Sequence, residues 1–226
     1  MLSLKLGLSL PSLRGLRWSP ITEASLVAWY QKGVGITLNG SDVSAWADSS
    51  TNSYDMVQAT ATEQPAYSAG VLTFASADEN NLQTVEQISL TADFTLGFRI
   101  NTITTNGTFL ADNTSDDEFF KFSGASSDRI AFRIGGSSST NLDLDSGTFE
   151  DDYLVITRVS NVLTLYRNGV PQTGTTPTVS GTSLIDAIGI RELDTNAFDG
   201  TISEIQIYSS ASDALTTNVN DRLSTL

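Results

Sequence analysis

The stretch that most limits what this chain can fold into is residues 152–172, DYLVITRVSNVLTLYRNGVPQ. Residues 154–158 and 162–167 are two short runs rich in β-branched and aromatic side chains, which suit a pleated, half-buried surface. Only Val159, Ser160 and Asn161 separate them, and a connection of that size and polarity reads as a hairpin turn. Asn168 and Gly169 then close the second run, because both tolerate the positive φ of a tight turn. Two strands alone are marginal in water. The pair is therefore read as the centre of a larger sheet.

The rest of the chain repeats this texture. Runs at 25–30, 43–48, 71–74, 94–100, 107–111, 118–123, 129–134, 184–191 and 201–208 read as strands, with turn residues between them. Leu82 and Val85 flank a loop. Residues 135–140 (GGSSST) form another. About a dozen short strands with frequent turns are the pattern of a two-sheet antiparallel sandwich. Helical spacing occurs only at the end. Residues 210–213 give a capping start, and Ala214, Leu215, Val219 and Leu223 recur on one helical face, predicting one short helix near 213–224 across an edge of the sandwich.

The chain has 226 residues, no cysteine and no histidine. That excludes disulfides, thiolate metal sites, cysteine nucleophiles and histidine-dependent catalysis. It leaves carboxylates for any acid–base role and hard, oxygen-loving cations for any metal role. The formal charge is −14, which repels nucleic acid. No apolar run is long enough to span a membrane. The charge is also uneven. Residues 1–22 hold Lys5, Arg14 and Arg17 and no acid, and all 26 acids follow.

Within that leader Leu2, Leu4, Leu6, Leu8 and Leu10 alternate with polar or small residues until Pro11. Such alternation describes a strand with one apolar face. It does not describe a secretion signal, which needs a continuous apolar stretch. Five leucines at about 1.5–3 kcal/mol each when buried would anchor strongly, and left free they would promote aggregation. Residues 1–20 are read as a docking arm and linker, with Trp18 as an aromatic anchor, and residues 21–226 as the folded domain. An edge strand of the same domain is the competing reading of the arm.

Four blocks carry a family resemblance: 26–30 (LVAWY), 43–50 (VSAWADSS), 166–170 (YRNGV) and 198–208 (FDGTISEIQIY). In this order they resemble the concanavalin A-like lectin/glucanase superfamily in its laminin-G-like form. The resemblance implies an all-β, antiparallel two-sheet jelly-roll sandwich, with the short C-terminal helix added. It also implies that Trp29, Trp46 and Tyr67 are core residues, with Tyr166 and Tyr208 half-buried. Cysteine-free domains of this kind resemble those of bacteriophage virion proteins. The implied role is a non-enzymatic capsid decoration or fibre protein on the virion surface. It would be docked to other virion proteins or sister subunits through its arm, as a homo-oligomer or assembly-bound form, with the sandwich facing host surface glycans. The alternative is a free carbohydrate-binding module or adhesin domain.

Candidate chemistry is sparse. The glucanase branch resembled here uses two glutamates flanking an aspartate on one strand. The nearest text, Glu192-Leu193-Asp194, has Ala197 where the second glutamate would stand, and Glu204 is alone on its strand. No catalytic residue is assigned. Asp112, Asn113, Asp116 and Asp117 crowd one loop, and calcium is the cation such oxygens would suit. The spacing matches no calcium loop, so the loop reads as a solvated acidic turn and no cofactor is expected. Asp48 is expected to bind nearby backbone amides.

Overall fold

The computed structural model describes residues 18–114, 118–124, 127–191 and 196–226. The leader residues 1–17 therefore lie outside the described residues. The strands are β1 (Leu26–Tyr30), β2 (Ile36–Asn39), β3 (Asp42–Trp46), β4 (Met56–Val57), β5 (Ala66–Ser68), β6 (Val71–Phe74), β7 (Leu82–Leu90), β8 (Phe94–Thr105) and β9 (Thr108–Ala111). They continue as β10 (Phe119–Ser123), β11 (Arg129–Arg133), β12 (Thr140–Asp143), β13 (Asp152–Val159), β14 (Val162–Arg167), β15 (Val170–Pro171), β16 (Ser183–Ile188) and β17 (Asp199–Tyr208). One helix, α1 (Asp213–Leu223), closes the chain.

All the named strand pairs are antiparallel, and they form two layers. The first runs β15-β14-β13-β8-β17-β1. The second runs β12-β11-β10-β9-β16-β7-β4-β3-β2. β5 and β6 join them at one corner, pairing with β3 and β17. The jelly-roll sandwich expected from the sequence is the observed fold. Its interior is one apolar cluster to which both layers contribute Trp46, Phe74, Phe98, Phe109, Phe120, Phe122 and Phe198, among others. Phe98 and Phe109 meet edge-on at 5.1 Å, a geometry aromatic quadrupoles favour.

Four local expectations change. The hairpin turn is two residues, Ser160 and Asn161, both at positive φ (50° and 71°), because Val159 and Val162 pair across it. That turn matches the right-handed strand twist, which a three-residue connection would not need to do. The hairpin is also only half central. β13 and β8 lie at the middle of the first layer, while β14 is followed only by the two-residue β15. The supposed loop at Leu82 and Val85 is β7, nine residues long. Its middle carries Val85 at 95% exposure, which made it read as loop, yet its ends are held by β16 and β4.

The helix differs as well. It lies across the outer face of β8 and β13, not over an edge. The reason is Gly97: a Cβ there would stand 2.6 Å from Val219 Cγ1, so only glycine lets the helix down onto the sheet. Ser212 caps α1 by accepting from Leu215 N. Leu215, Val219 and Leu223 are buried with Val155 and Tyr208, but Ala214 is exposed, and Thr216 and Asn220 are buried in its stead. Tyr208, expected half-buried, is completely covered by this packing.

Candidate functional site

The polar centre under α1 is built around Glu204. Its carboxylate, fully buried on β17, pairs with Arg222 of the helix at 2.7 and 2.9 Å. It also accepts from the Trp29 indole N–H (3.0 Å) and the Gln206 amide (2.8 Å). The Arg222 guanidinium stacks 4.9 Å from the Trp29 ring. Tyr208 donates to Gln206 Oε1, and burial, then the charge of Glu204, holds its hydroxyl above the usual phenol range. Every Glu204 oxygen is engaged in holding the helix, so this acid is structural. Trp29 and Trp46 are buried and Tyr67 partly so, as expected. Asp48 accepts from the backbone N–H groups of Trp29, Ser50 and Tyr54, the role expected of it.

Other acids flagged in the sequence separate. Glu192, Asp194, Asp116 and Asp117 lie outside the described residues. Asp112 is buried at the end of β9 and accepts from Thr114 N and Oγ1. Asn113 N donates to Asp186 of β16 (2.6 Å), and Gly136 N donates to Glu118 Oε1 (3.1 Å). The structure thus gathers Asp112, Glu118 and Asp186 where the sequence pointed only to the loop. Burial, and secondarily the charge of Asp112, pushes the Glu118 and Asp186 carboxyls above their ordinary values, against the opposing pull of backbone N–H donors. Among the described residues no three acids are arranged to hold a metal ion.

Of the arm residues, Leu2, Leu4, Lys5, Leu6, Leu8, Leu10, Arg14 and Arg17 lie outside the described residues. Trp18 is described. Its ring sits 6.4 Å from Tyr208 and packs with the helix cluster of its own chain.

Two recesses flank α1. One, of about 640 Å³, is lined by Trp18, Ser19, Asn218, Asp221, Arg222 and neighbours. The other, of about 330 Å³, lies between the helix and the β13–β14 hairpin. Tyr153 and Tyr166 form its wall. They are diagonal neighbours on the outer face, since Val155 stands opposite Tyr166. Asp213, Thr217, Asn220 and Asp221 supply its helical side, and Gly169 its end. Asn220 is buried, at 8% exposure; its Nδ2 donates to Thr216 O, and its covered Oδ1 has no partner among the described residues. Burial, and then Asp213, raises the Tyr166 hydroxyl above the usual phenol range. Sequence reasoning missed this recess. One signal was present: Thr216 and Asn220 are polar residues four apart, flanking the apolar stripe of α1.

An antiparallel sandwich with a helix on one layer and a largely apolar interior defines a lectin-type jelly roll. The chain belongs to the concanavalin A-like lectin/glucanases superfamily, whose laminin G model matches residues 73–216. No curated protein sequence matches the chain. Among solved structures it is similar to domain 4 of AbnA, a GH43 extracellular arabinanase from Geobacillus stearothermophilus, in complex with arabinotriose. The TM-score there is 0.55 at 16% identity, covering 87% of this chain and 97% of that one. It is similar to Trypanosoma rangeli sialidase in complex with the inhibitor DANA (TM-score 0.56, 17% identity, 90% of this chain), though it spans only 33% of the sialidase chain. It is also similar to a native heptameric SAP-like pentraxin from Limulus polyphemus (TM-score 0.50, 14% identity, 62% and 73% coverage). At these identities the likenesses speak for the fold.

Proposed function

We propose that the protein is a non-catalytic carbohydrate-recognition domain. The observation that carries this reading is the recess beside α1: two tyrosine rings facing hydroxyl, amide and carboxylate groups in about 330 Å³. Aromatic walls with a few placed polar groups are what a sugar ring needs, because its C–H face stacks while its hydroxyls are hydrogen-bonded. The AbnA domain of the same fold was determined with arabinotriose. Glu204, the acid alone on its strand, is consumed by Arg222 and Trp29. Hydrolysis with retention needs two carboxyls about 5–5.5 Å apart across a bound sugar, and Glu204 serves no such cleft.

A second reading sets this domain on the surface of a phage particle, as a capsid decoration or fibre protein held by its leader to other virion proteins or sister copies. The alternating leucines and the three cations of residues 1–17, ahead of a body holding all 26 acids, favour it. Strand addition at a neighbour's sheet edge is the docking mode such a segment suits.

One pair of proteins tests both readings: the full chain, and a chain lacking residues 1–17. On a glycan array both should retain at least one glycan; a blank array for both removes the first reading. In light scattering the full chain should form an oligomer or bind particles, and the shortened chain should be a folded monomer. Unchanged assembly after the deletion removes the second.

A further inference from the structure

We propose that the recess between α1 and the β13–β14 hairpin takes an uncharged sugar ring and rejects anionic sugars. The proposal rests on the carbohydrate-recognition reading and adds to it the site and the ligand class. The first argument is charge. The ionisable groups lining the recess are Asp213, Asp221, Tyr153 and Tyr166, and none of the lining residues is basic. The nearest cation on the helix, Arg222, is spent on Glu204 in a two-point pair. A sialic acid, uronate or sulfate would therefore meet two carboxylates with nothing to offset them, on a chain of formal charge −14.

Hydrogen-bonding polarity points the same way. Asp213 and Asp221 can only accept while ionised. Asn220 spends its N–H on Thr216 O, and its carbonyl oxygen, without a partner among the described residues, is itself covered and out of a ligand's reach. The two lining carboxylates want a ligand rich in donors, and an uncharged polyol is one. Its size fits a single ring with part of a second, at the low end of ligand sites. The tyrosines give the flat surface. Tyr166 is backed by the buried helix cluster against which it packs, so little rotamer freedom is lost on binding.

The test is titration calorimetry of the full chain with neutral malto-, manno-, galacto- and arabino-oligosaccharides and with 3′-sialyllactose. Saturable binding of at least one neutral sugar, and none of sialyllactose, is expected. Thr217→Trp, on the exposed rim, should plug the recess and weaken binding by at least about tenfold. Thr104→Trp fills instead a recess far along the chain, lined by Thr104, Asn106 and Glu150, and should leave binding unchanged. Binding of sialyllactose alone, or neutral-sugar binding that Thr217→Trp leaves intact, would overturn this assignment and leave carbohydrate recognition standing. No binding of any sugar overturns both.

Discussion

Glu204 shows how a single residue is turned from a candidate for chemistry into a fastener. An isolated carboxylate at zero exposure would be expensive to bury, and it is tolerated because five donors from Trp29, Lys32, Gln206 and Arg222 surround it. Removing one charge of such a pair leaves the other stranded. Glu204→Gln should lower unfolding stability by about 3 kcal/mol, moderated because the Arg222 side chain keeps 22% exposure. Urea denaturation measures it. The double variant Glu204→Gln/Arg222→Met should lose clearly less than the two single losses added, since the two residues act as one unit. Simple additivity would mean that the pair does not hold the helix. Arg158 follows a different rule on β13. Wholly buried, it has backbone oxygens for partners, from Leu90, Ala92 and Gly181, with its guanidinium 4.7 Å above the Phe94 ring. It ties two loops to the sheet, and nothing in the pattern VITRVS distinguishes it from a solvent-facing arginine.

At the scale of elements, the decisive contact is α1 on the first layer. The helix is short and would be marginal alone. It persists because Leu215, Val219 and Leu223 are buried on β8 and β13, and because Gly97 offers no side chain beneath Val219. Gly97→Ala should therefore push the helix outward and cost about 1–3 kcal/mol, the usual range for overpacking. Adding Val219→Ala, which clears the 2.6 Å clash, should recover a good part of that loss in thermal melts. A Gly97→Ala protein as stable as the parent would show that the helix does not seat there. The same seating forms the tyrosine recess, so this variant should also weaken sugar binding.

At the scale of the whole molecule, acidity dominates. The body carries its 26 acids on and inside a single sandwich. Glu118 and Asp186 have carboxyls raised above their ordinary values of 4.5 and 3.8 by burial, with Asp112 adding to the effect. A raised folded value means that the folded state binds the proton more tightly than the unfolded state. Stability from these two groups is therefore fully present below their ordinary values and is lost as pH rises through the folded ones. The melting temperature should rise as pH is lowered from 7 toward 5, and Asp186→Asn should flatten that rise. A melting temperature that falls steadily over this interval, with Asp186→Asn following the same curve, would contradict the arrangement. Arg158, the cation near Glu118, has its value lowered by burial yet stays charged throughout that range.

The fold was legible from the amino-acid order because its signals are local. Alternation in residues 154–167, the Asn168-Gly169 turn and the spacing of Leu215, Val219 and Leu223 each depend on neighbours within one or two turns of chain. β7 was hidden for the converse reason. Its residues 83–87 are polar or exposed, and the element is a strand because its two ends pair with β16, about a hundred residues later. The recess beside α1 was beyond reach in the same way. Tyr153 and Tyr166 come from one hairpin, and Asp213 and Asn220 from a helix some fifty residues on. Glu204 likewise meets Trp29 across 175 positions. Sequence by itself determined the kind of layer, the turns, the helix and the lack of cysteine and histidine chemistry. Tertiary structure alone decided which acids are buried, which arginines are spoken for and where a recess opens, because those follow from contacts between segments that share no local pattern.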